Sequence, residues 1–114
     1  MGSEQLRDLV VDAIEEMKGN DINVLDVRGL TSVTDFMIIA SGTSNRHVKS
    51  LADNVVERCK ADQIRPIGVE GDDKAEWVLV DLGDAVVHIM LPATRQFYDI
   101  ERLWESAPEA IATP

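Results

Sequence analysis

Apolar residues recur at helical spacing in two stretches of the chain. In the first stretch the spacing is i, i+3, i+4, i+7, i+8 and i+11, one face of an α-helix, at Leu6, Leu9, Val10, Ala13, Ile14 and Met17. Ser3 is the expected N-cap, and Gly19-Asn20 is the expected end. The second stretch has the same spacing, at Val48, Leu51, Ala52, Val55, Val56 and Cys59. The pattern therefore predicts two long amphipathic helices.

Short apolar runs predict five strands. The run 36–40 is apolar at both odd-numbered and even-numbered positions, as is typical of a central strand covered on both faces. The other expected strands are 22–27, 66–70, 76–82 and 85–91, and a short helix is expected at 94–104. The second strand, the second helix and the third strand predict a right-handed parallel crossover. The chain is thus expected to form one α/β domain at 1–105, a mixed five-stranded sheet with helices mainly on one face, with a flexible tail at 106–114.

A two-residue turn at Gly83-Asp84 joins the last two expected strands and sets their register. With Leu82 opposite Ala85, one face of this hairpin is wholly apolar and must pack on helices. The other face pairs Trp77 with Met90, Leu79 with His88 and Asp81 with Val86. An aromatic residue and a methionine with a polar fringe are typical of a protein-interaction patch.

The mixed face of the hairpin is compatible with four arrangements. Two helices of this length cover one face of a five-stranded sheet, so the second face can stay open to a partner. Alternatively, the C-terminal helix, with Phe97, Tyr98 and Trp104, folds over this face and buries Trp77, and in an intermediate case Tyr98 lies at the rim. A homodimer formed in the free state through the same face would also use the pattern.

The charge narrows the class of partner. Eleven Lys and Arg stand against 21 Asp and Glu, which gives a net charge of −10. Binding to nucleic acid needs several Lys or Arg contacts with phosphates, and the chain has no basic run. We therefore expect little direct nucleic-acid binding, and we expect a basic protein surface to suit the chain better.

Three features of the sequence predict a cytoplasmic protein. The first residues lack the basic and apolar pattern of a secretory signal. No apolar run approaches the roughly 18–20 residues that cross a bilayer, so no membrane association is expected. A single cysteine, Cys59, excludes an internal disulfide.

The segment Gly42–His47 is the strongest candidate for ligand binding. It joins a strand to a helix, so its backbone N–H groups could face a nucleotide phosphate, with Arg46 assisting. Thr43 or Ser44 as an ordinary N-cap is the favoured interpretation, because the glycine spacing and lysine of a P-loop are missing.

Other reactive side chains also have plain structural interpretations. Asp26 and Asp35 flank a loop and could bind a metal, but capping of loop N–H groups is favoured. No paired Cys or His spacing predicts zinc. Cys59 lies on an apolar helical stripe, where a thiol is normally inert, and His88 in a strand is expected to be packed or interfacial. We therefore expect no catalytic residue, cofactor or metal.

Several segments taken together resemble the ribosomal silencing factor family, also called Iojap-related. They are Leu25–Gly29, Thr34–Ile38, Ser41–Val48, Gly68–Gly71, Trp77–Asp84 and Val87–Met90. The likeness runs from about Leu6 to Trp104. The resemblance implies a nucleotidyltransferase-like α/β fold and a role without catalysis. Members of that family bind a protein of the large ribosomal subunit beside the subunit interface, block joining of the small subunit and so repress translation.

The resemblance also indicates which residues bind the partner. Carried over to matching positions, the docking surface includes Trp77, His88 and Met90, with Glu70 and Tyr98 near its edge. Nucleotidyltransferases follow their glycine-serine turn with an Asp-x-Asp metal pair on the next strand, and the third expected strand here lacks that pair. Nucleotide binding or transfer at Gly42–His47 therefore stays as the alternative function.

Overall fold

The computed structural model describes residues 1–104, which form a five-stranded sheet with helices packed on it. The elements are α1 Ser3–Glu16, β1 Asn20–Asp26, β2 Phe36–Ser41, α2 Asn45–Ala61, β3 Gly68–Glu70, β4 Trp77–Asp81, β5 Ala85–Met90 and α3 Pro92–Tyr98. Residues 100–104 are helical again. The expected tail at 106–114 lies outside the described residues.

The strand order is β1-β2-β5-β4-β3. Strands β2 and β5 pair in parallel, and the other three pairs are antiparallel. The predicted mixed α/β sheet is confirmed. Strand β3 runs in the same direction as β2, as the crossover predicted, but β5 and β4 lie between them. Helix α2 therefore connects the middle of the sheet to its far edge.

The hydrophobic core lies between the sheet and the two long helices. The predicted hairpin register is confirmed, because Val78 pairs with Ile89 and Val80 with Val87. These four side chains are fully buried in the cluster that also holds the apolar stripes of α1 and α2. Every residue of β2 is buried, as its apolar run predicted. The apolar face of the hairpin thus packs on helices, and the mixed face points away from them.

The start of α1 differs from its prediction. Ser3 is not the N-cap, since the helix begins at Ser3 and Gly2 takes the cap position with extended backbone angles. The N–H of Gly2 donates to Oε1 of Gln5 at 3.1 Å. The Gln5 side chain therefore bonds the N–H of the cap residue, and no side chain at the cap position bonds the first turn.

The C-terminal helix is broken where a continuous one was expected. Asp99 has φ 46° and ψ 50°, a left-handed conformation that ends α3 at Tyr98. The break lets residues 100–104 turn back onto the sheet. No helix within residues 1–104 is long and apolar enough to cross a membrane.

Candidate protein-docking face

The sheet face turned away from α1 and α2 is partly covered by the end of the described chain. Val27, Met37, Ile39 and Met90 form a second buried cluster there. Ile100 and Trp104 pack against that cluster, and so does Trp77. The arrangement matches the intermediate case of the sequence interpretation, in which the C-terminal segment shields part of the face and leaves an aromatic rim. We call the mixed face of β4 and β5, together with α3, the docking face.

Three aromatic rings lie together on the docking face, and we call them the aromatic patch: Trp77, Phe97 and Tyr98. Trp77 is half-buried, and its ring centroid lies 5.0 Å from that of Tyr98. Tyr98 meets Phe97 edge to face at 4.9 Å. Phe97 is 79% exposed and Tyr98 is 55% exposed. Neighbouring rings exposed to this extent are the composition found at the centre of protein interfaces.

His88 lies beneath the patch and orients it. The indole Nε1–H of Trp77 donates to Nδ1 of His88 at 3.0 Å. Burial lowers the pKa of His88 to about 4, so the ring is neutral near pH 7. Its Nδ1 must be unprotonated to accept the indole proton, which places the ring proton on Nε2. His88 therefore holds the tryptophan in position and has little surface of its own for a partner.

Met90 is not exposed, contrary to the surface position expected from the sequence. Its exposure is 0%, because it lies in the buried cluster that Trp77, Ile100 and Trp104 pack against. In this conformation Met90 supports the patch from below. Its contact with a partner, like those of Trp77, His88, Tyr98 and Glu70, remains a prediction.

Glu70 lies at the sheet edge on the same side as the patch. It pairs in register with Leu79, whose side chain shares the docking face. Glu70 is exposed, and Asp81, two residues after Leu79 on β4, pairs with Gly68 of the same edge strand. The aromatic patch therefore has a carboxylate border on its β3 side, which suits a basic partner.

An ion pair fixes the chain that carries the patch. Arg95 Nε donates to Oε1 of Glu101 at 2.7 Å, and Arg95 Nη1 donates to Oγ of Ser41 at 2.9 Å. Asn23 Nδ2 donates to Oε2 of Glu101 at 2.6 Å. The Arg95 and Glu101 side chains are 14% and 19% exposed. Hydrogen bonds from Arg95 lower the pKa of Glu101, which keeps this carboxylate charged.

This network was not predicted from the sequence. Arg95 and Glu101 are six residues apart, a spacing that does not place side chains together on a continuous helix. The contact exists because the left-handed Asp99 bends the chain. The polar residues Asn23 and Ser41 at strand positions were the sequence signal for such a network, because buried polar side chains in a sheet need hydrogen-bond partners.

The segment Gly42–His47 is occupied by its own hydrogen bonds. Ser44 Oγ accepts from the N–H of His47 at 3.1 Å, which confirms Ser44 as the N-cap. Nδ1 of His47 accepts from the N–H of Thr43 at 2.9 Å, and its Nε2 lies 2.8 Å from the carbonyl oxygen of Met17. The backbone N–H groups of Thr43 and His47 therefore serve the fold.

The remaining candidates also have structural roles. Asp26 accepts from the backbone N–H of Arg28 at 3.1 Å and from its guanidinium at 2.6 Å, which lowers the pKa of Asp26 to about 2. Asp35 closes the loop through its backbone, since its carbonyl accepts from the N–H of Val27 at 3.0 Å. Burial raises the pKa of the Cys59 thiol to about 11. Among residues 1–104, no three His, Cys, Asp or Glu side chains are placed to hold a metal.

Comparison with known proteins gives concordant matches over nearly the whole chain. The family described as "Ribosomal silencing factor during starvation" matches residues 1–113. A ribosomal silencing factor of Chromobacterium violaceum is 49% identical over 104 residues, covering 91% of this chain and 85% of that protein. A mouse protein named "Mitochondrial assembly of ribosomal large subunit protein 1" is 35% identical, covering 85% of this chain and 44% of its own length.

A solved structure has the same fold. A crystal structure of a Chromobacterium violaceum protein superposes with a TM-score of 0.91 at 48% sequence identity. The match covers 92% of this chain and 88% of that one.

Proposed function

This chain belongs to the ribosomal silencing factor family, and we propose that it represses translation by binding a protein of the large ribosomal subunit at the subunit interface. Bound there, it blocks the small subunit by occupying space. The mouse relative, whose name refers to assembly of the large ribosomal subunit, supports that subunit as the partner. The proposed setting is the cytoplasm.

The aromatic patch is the observation that carries this proposal. Trp77 is held by His88 from below and flanked by Tyr98, so its orientation is set before a partner arrives. Side chains that are already ordered lose less entropy on binding than mobile ones. Fixed aromatic side chains near the centre of an interface commonly supply most of the binding energy.

The charge distribution supports a protein partner in preference to RNA. The net charge of −10 opposes approach to phosphates, and Glu70 borders the patch. A basic ribosomal protein can form ion pairs with the carboxylates and pack apolar side chains on the rings. Repression by occupancy needs no reacting group, and the buried Cys59 and the neutral His88 are poorly placed to supply one.

The proposal is tested by subunit joining. Purified small and large subunits are mixed at constant magnesium, with and without the protein, and intact ribosomes are measured by light scattering. Wild-type protein should reduce joining in proportion to its occupancy of large subunits, and Trp77→Ala should leave joining unchanged at the same concentration. Unimpeded joining on large subunits saturated with wild-type protein would refute steric blocking.

A further inference from the structure

A groove runs between α2 and the edge strand β3, on the helix side of the sheet. One end is a depression of about 460 Å³ lined by Lys60, Gln63 and Arg65. The middle is lined by Val56, Lys60, Arg65, Pro66, Gly68 and Val69. The other end is lined by Asp53, Val56, Glu57, Val69 and Asp72. Adjoining depressions share lining residues, and we call the three together the α2–β3 groove.

The two ends of the groove have opposite charge. Lys60 and Arg65 are exposed at one end, with the Gln63 amide between them in sequence. Glu57 and Asp72 are exposed at the other end. Asp53 is also at the acidic end, but its Oδ2 lies 3.6 Å from Nζ of Lys49, which partly neutralises its charge. A ligand that matches this groove is therefore a dipolar molecule with an apolar middle.

The edge of β3 gives that ligand a direction. Within the described residues β3 pairs with β4 alone, so one side of its backbone has no strand partner. An extended peptide can pair with such an edge. If it pairs antiparallel to β3, its C-terminal end reaches Arg65, which precedes β3, and its N-terminal end reaches Asp72, which follows it. The charges at the two ends suit this polarity.

From this geometry we propose that the α2–β3 groove binds the C-terminal segment of a partner protein, antiparallel to β3. The terminal carboxylate pairs with Lys60 and Arg65, where a guanidinium can donate two hydrogen bonds to it. Four residues of an extended peptide cover roughly 13 Å, so a Lys or Arg about four residues before its end meets Glu57 and Asp72, which lies in the turn after β3.

This surface is separate from the docking face. Val69 lines the groove and packs with the core beneath α2, whereas Glu70 points to the opposite side of the sheet with Leu79. A protein engaged through the aromatic patch therefore leaves the α2–β3 groove accessible. The inference does not depend on the proposed ribosomal partner.

The test uses the full 114-residue chain, labelled with nitrogen-15, and hexapeptides that end in a free carboxylate. The first probe is Gly-Lys-Thr-Val-Thr-Val, followed by an array with lysine fixed in second place and the other positions varied. The same peptides are made as C-terminal amides and with glutamate in place of lysine. Arg65→Glu and Lys60→Glu are compared with Arg46→Glu, which changes an exposed cation at the opposite end of α2.

We expect free-acid peptides to shift the amide signals of 68–70, and those of Trp77 and His88 to stay in place. The amide and glutamate forms should bind at least about tenfold more weakly, as should Arg65→Glu and Lys60→Glu, while Arg46→Glu should bind like wild type. The proposal is overturned if no free-acid peptide shifts 68–70 at millimolar concentration. Equal binding of acids and amides would overturn it as well.

Discussion

Trp77 and His88 are diagonal neighbours across β4 and β5, joined by a hydrogen bond of 3.0 Å from the indole Nε1–H to Nδ1. The register places Trp77 opposite Met90 and Leu79 opposite His88, so the bond spans two rungs of the ladder. Aromatic side chains reach such diagonal neighbours. The bond ties the orientation of the proposed docking residue to the protonation state of a buried imidazole.

Acid should destabilise the protein through His88. Its pKa is about 4 in the folded protein and about 6.5 when unfolded. The unfolded chain therefore binds an extra proton between these values, so stability falls as the pH drops from 6.5 towards 4. The loss from pH 7 to pH 4.5 should be about 2–3 kcal/mol, measured by urea unfolding at each pH.

His88→Gln is the control for this pH dependence. Glutamine keeps an acceptor for the indole and does not titrate, and all carboxylates are common to both proteins. The variant should therefore lose about 2–3 kcal/mol less than wild type over the same interval. Equal losses in the two proteins would show that His88 is not the group responsible.

Removing Arg95 should loosen the segment that covers the sheet. Arg95→Ala removes the guanidinium partner of the mostly buried Glu101 carboxylate and leaves the hydrogen bond from Asn23. We expect a loss of about 2–3 kcal/mol in unfolding free energy and faster proteolysis within 99–104. Lys49→Ala removes an exposed pair with Asp53 and should cost less than about 0.5 kcal/mol. Similar costs for the two variants would mean that the Arg95 network does not hold the segment.

The sequence predicted the hairpin and its two faces correctly for a simple reason. A two-residue turn at Gly83-Asp84 leaves one register, and alternation then assigns every side chain to a face. Val78 and Ile89 are buried against helices for this reason, and Trp77 is on the opposite side.

The burial of Met90 could not be predicted in the same way. It depends on a chain reversal at Asp99 and on contacts between Arg95 and residues distant in sequence. Neither leaves a periodic signal, and the helical pattern at 94–104 suggested an unbroken helix. Local sequence patterns were enough to predict the sheet. The packing of the C-terminal segment over one face depends on tertiary contacts, which those patterns do not show.

The turn before β4 should tolerate no side chain at Gly71. Its φ is +83°, and an added Cβ would lie 2.2 Å from the carbonyl oxygen of Trp77. Gly71→Ala should therefore lower the unfolding free energy by more than about 1 kcal/mol and displace the aromatic patch. Thermal unfolding measures the first effect, and indole fluorescence reports the second.

Gly29→Ala is the matched control for that turn. An added Cβ at Gly29 would meet no atom within 4 Å, and its φ is not positive. This variant should unfold within about 0.5 kcal/mol of wild type. If Gly71→Ala were equally mild, the turn at Gly71 would not be what positions Trp77.

Co-sedimentation with purified large ribosomal subunits tests the central claim most directly. Wild type, Trp77→Ala and Val33→Ala are compared at moderate salt, since Val33 is 81% exposed in the β1–β2 loop at the other end of the sheet. Wild type and Val33→Ala should pellet with the subunits, and Trp77→Ala should bind at least about 30-fold more weakly. Equal binding of Trp77→Ala and wild type would contradict docking through the aromatic patch.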